Sequence, residues 1–197
     1  MMPGTNNSRT RRFGALALAA LLLGAGTAEV VVPVELQVPL LLKVLDFDRS
    51  LRERPGEAVI ILVAFQSGFP VSRDLRERLD SSRGSAGSAS IQGKPVRWVF
   101  LDVTGAAALE REVRGQDAAV VYLAPMRSID LGALTAAAAA GGALSVTGDL
   151  DYVSEGVAVA FGTRGGRPSI LINLKAARAA GADFGAQLLQ LAEIIDR

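Results

Sequence analysis

The stretch Glu57-Ala-Val-Ile-Ile-Leu-Val-Ala-Phe65 is apolar at every position after its first residue and rich in β-branched side chains. Such a run has no side to offer to water. As a strand it must be covered on both faces, which is the environment of a parallel sheet sandwiched between helices. A shorter run, Ala118-Ala-Val-Val-Tyr-Leu123, repeats the signal, and Ala143-Leu-Ser-Val-Thr147 predicts another strand. Residues 95–103 alternate and carry Trp98 and Phe100, which predicts a further strand.

Segments with helical spacing lie between these strands. Residues 70–79 form a charged amphipathic pattern, with Ser72 placed as a cap. Residues 106–113 predict a short helix, and residues 129–140 an Ala-rich one ended by Gly141 and Gly142. Residues 81–90 are Gly, Ser and Ala with one Arg, the composition of a flexible loop. Upstream, residues 34–48 predict a first helix with Leu41, Val44 and Leu45 on its apolar face. Pro39 must then occupy its first turn or kink it.

The C-terminal part is patterned differently. Val157-Ala-Val-Ala-Phe161 and Ser169-Ile-Leu-Ile172 flank the Gly-rich segment 162–168 and predict a β-hairpin. Residues 173–180 and 184–195 predict two helices, with Gly181 closing the first and Asp183 capping the second. Together the elements specify an α/β fold: a mainly parallel central sheet with helices on both faces and a C-terminal antiparallel hairpin.

The first 28 residues stand apart. Arg9, Arg11 and Arg12 precede an apolar run from Phe13 to Leu23, followed by Gly24-Ala-Gly-Thr-Ala28. That order predicts a secretory signal peptide over residues 1–28, cleaved after Ala28, and a mature α/β domain over residues 29–197. The apolar run is shorter than the roughly 20 residues a membrane span needs. The full chain carries 21 Lys and Arg against 20 Asp and Glu, net +1. Removing three Arg leaves 18 against 20, net −2. No clustered basic face remains to suggest a nucleic-acid partner.

Histidine and cysteine are both absent. This excludes Ser-His-Asp and Cys-His triads, an imidazole base, Cys/His zinc sites and a thiol switch. No catalytic residue, cofactor or metal is expected, although carboxylate chemistry survives the exclusion. Gly162-Thr-Arg-Gly-Gly-Arg167 lacks the Walker pattern and joins two strands, so it reads as a turn and not a phosphate loop.

Ligands of open α/β sheets bind outside the carboxyl ends of the strands. Gln66 and Ser67, Thr104, and Thr147 with Asp149 all stand at such ends, and they are the candidate crevice for a ligand or partner. Turn chemistry alone also explains Ser, Thr and Asp there. Asn173 reads as a structural cap. Arg178 reads as structural, and Asp46 and Asp48 as a solvated helix terminus.

Three blocks of the tail carry a resemblance: Leu144-Ser-Val-Thr-Gly148, Gly156-Val-Ala-Val-Ala-Phe161, and Ile170-Leu-Ile-Asn-Leu-Lys-Ala-Ala-Arg-Ala-Ala-Gly181 with the final Gln187-Leu-Leu-Gln-Leu-Ala192. With Gly93-Lys-Pro-Val96 upstream, the pattern resembles the YfiR/HmsC family of periplasmic proteins over roughly residues 34–197, tightly after residue 144. The chain departs from it in having Leu45-Asp-Phe-Asp48 in place of a Trp-containing helix end, no paired cysteines, Glu155 before Gly156, and Gly185 where a serine is usual. The resemblance implies a non-enzymatic periplasmic regulator. Such a domain, as a homodimer, binds an inner-membrane sensor protein, a diguanylate cyclase or histidine kinase, and restrains it, lowering cyclic di-GMP and biofilm output. The alternative is a small-ligand-binding domain resembling half of a solute-binding protein.

Overall fold

The computed structural model describes residues 32–85, 89–164 and 166–195. Residues 1–28, read above as a signal peptide, lie outside them. Among the described residues no helix is long and apolar enough to cross a membrane.

The chain runs α1 (Val34–Asp46), α2 (Ser50–Glu53), β1 (Val59–Phe65), α3 (Pro70–Ser85), β2 (Ser90–Ile91) and β3 (Lys94–Asp102). It continues with α4 (Ala106–Gln116), β4 (Val120–Leu123), α5 (Leu131–Ala140), β5 (Leu144–Thr147) and a 3-10 turn (Leu150–Val153). The last elements are β6 (Val159–Arg164), β7 (Arg167–Asn173), α6 (Leu174–Ala179), α7 (Ala186–Leu191) and β8 (Glu193–Ile195). The strands form one sheet in the order β2-β3-β1-β4-β5-β6-β7-β8. Its centre, from β3 through β6, is parallel. The expected hairpin β6–β7 is antiparallel, and β2 adds an antiparallel edge beside β3.

The unbroken apolar run of β1 divides as a strand must. Val59, Ile61 and Val63 enter one core; Ile60, Leu62 and Ala64 enter the other. α1, α3, α6 and α7 cover the first face, and α4 and α5 the second. Each fully buried Leu or Ile adds about 1.5–3 kcal/mol over its exposed state. This explains why the pattern of β1, β4 and β5 was so readable.

Five expectations need correction, and one, the place of Pro39, is narrowed. The stretch 81–85 is not a loop: α3 runs to Ser85, and Arg83 bonds back to Asp80 at 2.6 Å. Residues 86–88 lie outside the described residues, and Ser90, the last of that stretch, already belongs to β2. Ser72 does not cap α3; it is buried, and its Oγ accepts the N–H of Gln66 at 2.9 Å. Pro39 stands beyond the first turn of α1, on its exposed side, where a missing N–H costs least. The last helix stops at Leu191, and Glu193–Ile195 pair in parallel with Leu171–Asn173. An open strand edge is a row of unpaired N–H and C=O groups, and two β-branched residues suit it better than another helical turn. Asp183 does not cap α7, whose N-cap is Gly185; its carboxylate pairs with Arg49 at 2.7 Å. Asp48, read as solvated, is only 2% exposed.

Candidate functional site

From β1 the chain steps outward to β3 through α3, then returns across β1 to β4 through α4. α3 lies on one face, α4 and α5 on the other. The loops leaving the carboxyl ends of β1 and β4 therefore diverge, which is the switch point where α/β sheets open a crevice.

At the switch point itself the gap is bridged. Gln66 Oε1 accepts the N–H of Arg127 at 2.6 Å, and its Nε2 donates to the Arg127 carbonyl at 3.1 Å. This two-way bond ties the end of β1 to the loop after β4. Ser67 is held by Asp102, which accepts its N–H at 2.9 Å and its hydroxyl at the other oxygen. Thr104 is exposed beyond β3.

One strand further along, a crevice of about 610 Å³ opens between the N-terminal turn of α1, the first turns of α3 and the ends of β4 and β5. Val34, Val71, Leu75 and Pro125 wall it with apolar surface. Its floor is polar and pre-arranged. Tyr122, fully buried in β4, donates its hydroxyl to Oε1 of Gln37; Gln37 Nε2 donates to the Val32 carbonyl at 2.6 Å. Burial pushes the Tyr122 hydroxyl well above the ordinary tyrosine range, so it stays a donor. Thr147 Oγ1 donates to the Leu123 carbonyl at 3.0 Å and accepts the N–H of Asp149 at 3.2 Å. Gly148 completes the floor. A Cβ there would lie 2.4 Å from Gln37 Oε1, so only glycine leaves the Gln37 carboxamide in place.

The rim is charged: Asp149 on the β5 side, Asp74 and Arg78 on α3. Asp149 Oδ1 caps the 3-10 turn by accepting the N–H of Asp151 at 3.1 Å. Its carboxyl is raised above the usual carboxylate range, chiefly by burial and further by the charge of Asp151. A second depression of about 450 Å³ continues from Asp74 and Arg78 along α3, past Glu35 and Glu77. Among the described residues, no three His, Cys, Asp or Glu gather to hold a metal.

Of the five residues picked from sequence, Thr147 and Asp149 line this crevice, whereas Gln66, Ser67 and Thr104 do not. Gln37, Tyr122, Asp74 and Arg78 were missed. Tyr122 had a signal, as the one polar group of an apolar strand; Gln37 had a weaker one, as a polar residue at helical spacing on the apolar face of α1. Asn173 caps α6 as expected, accepting the N–H of Ala176 at 3.0 Å.

The sequence profile of the YfiR/HmsC-like family matches residues 58–193, from the start of β1 to the start of β8. The chain belongs to the YfiR/HmsC-like family. At the level of the family, this supports a periplasmic regulatory domain. Among solved structures, a conserved domain protein from Vibrio cholerae is similar at a TM-score of 0.59 and 16% identity; the match covers 83% of this chain and 60% of that one. An ABC domain in complex with L-Trp from Streptococcus pneumonia is similar at a TM-score of 0.55 and 11% identity, covering 83% and 62%. This YfiR/HmsC-like chain thus spans about three fifths of each, and at such identities the likeness speaks for the fold alone. No match is found among curated proteins.

Proposed function

We propose that this YfiR/HmsC-like chain is exported to the periplasm, binds the periplasmic part of an inner-membrane sensor protein as a homodimer, and holds that sensor in its inactive state. The sensor is a diguanylate cyclase or a histidine kinase. The observation that carries the reading is the family match over residues 58–193. The absence of His and Cys is consistent with it, since it removes most of the usual machinery of catalysis. Restraint of this kind needs only a difference in affinity for the two states of the sensor.

The test has two parts. Cell fractionation of the producing bacterium is expected to find the chain in the periplasm without its first 28 residues. A tagged copy cross-linked in intact cells is expected to recover a membrane protein with a cyclase or kinase domain, and deletion is expected to raise cyclic di-GMP or the kinase's output. A full-length chain retained in the cytosol overturns the reading. So does deletion that changes neither output.

A further inference from the structure

Asp149 is half-buried at the mouth of the crevice, and the charge that bears on it, that of Asp151, has the same sign. Among the described residues no Lys or Arg pairs with it: Arg78, across the crevice, lies 3.8 Å from Glu35 instead. One of its oxygens caps the 3-10 turn. A partly desolvated carboxylate without a cation is unfavourable unless something supplies one. The rest of the rim does not: Arg78 is matched there by Asp74, and the adjoining depression adds Glu35 and Glu77, so the surroundings stay acidic. Beneath this acidic rim the walls are apolar, and Val71 is 55% exposed. The polar floor is already hydrogen-bonded within itself and asks for no donor or acceptor from a guest.

We infer that the crevice between α1, α3 and the ends of β4 and β5 binds a small primary amine with an apolar body. The ammonium lies against Asp149, and the body against Val34, Val71, Leu75 and Pro125. The charge of the rim selects the amine over an acid of the same shape, and the walls select an aromatic or branched body over a polar one. This site does not depend on the identity of the sensor protein proposed above.

The experiment is isothermal titration calorimetry of the full mature chain against three compounds with one body: phenethylamine, 2-phenylethanol and 3-phenylpropionate. Phenethylamine is expected to bind saturably, and the other two at least about tenfold more weakly. Asp149→Asn keeps the capping oxygen and therefore the fold; it is expected to lower phenethylamine affinity about tenfold or more. Val71→Ser, at an exposed wall position, is expected to weaken all three alike. Equal affinity for the three compounds overturns the inference. So does the absence of saturable binding, or unchanged affinity in Asp149→Asn.

Discussion

Oδ1 of Asp48 accepts the backbone N–H of Asp183 at 2.9 Å, across 135 positions of the chain. The same oxygen accepts the N–H of Ser50 at 3.1 Å and its hydroxyl at 2.7 Å. Around it, Arg49 N–H donates to the Asp183 carbonyl and Gly185 N–H to that of Phe47. The end of α1 is thus stitched to the segment that leads into α7.

Asp48→Ala strips these donors of their acceptor in a buried place. The expected cost is about 2–4 kcal/mol. Asp183→Ala removes only an exposed ion pair with Arg49 and is expected to leave stability nearly unchanged. Urea unfolding at neutral pH measures both, and equal losses would contradict the assignment of the load to Asp48.

Asn173 closes β7 and opens α6. Replacing it by Ala leaves the Ala176 N–H without its partner and is expected to cost about 0.5–2 kcal/mol, while Asp should be tolerated. Thermal unfolding of the two variants provides the check.

The floor of the crevice makes a steric prediction. Gly148→Ala forces the Gln37 carboxamide away from Tyr122 or from Val32, since both hold it. A loss of about 1–3 kcal/mol is expected, with a similar loss for Tyr122→Phe, which deprives Gln37 Oε1 of its donor. If Gly148→Ala is as stable as the parent, the carboxamide is not fixed.

Asp149 makes a prediction in pH. Its folded carboxyl is raised by burial, so the folded chain keeps this proton to higher pH than the unfolded chain. Stability therefore falls as pH rises from the unfolded value of about 3.9 through the raised folded value. Asp149→Asn does not ionise. Its stability relative to the parent is expected to be constant at low pH and to increase across that window, read as melting temperature against pH. Parallel profiles for the two proteins would show that the carboxylate is solvated.

Much of this architecture was legible because burial on two faces leaves a plain mark. The runs holding Ile61 and Val121 offer no side to water, and only a covered parallel strand accepts that. What escaped reading was decided by partners distant in sequence. Nothing near Glu193 announces a strand; the open edge of β7, some twenty residues earlier, decides it. Asp183 sits where a cap belongs, yet Arg49 claims its carboxylate. At the crevice, Thr147 and Asp149 were visible as strand-end residues. Gln37 enters it from a helix more than a hundred positions away, and no local spacing encodes that approach.

The order of the sheet has a consequence for how the chain is made. In chain order, β2 and β3 lie on one side of β1, and β4, β5, β6, β7 and β8 follow one after another on the other. A polypeptide emerging N-terminus first finds a finished template waiting for each new strand, so no strand need wait for a distant partner still to be synthesised. The final strand, β8, is only three residues long and ends the series, leaving little length on which a neighbouring molecule can continue the growth.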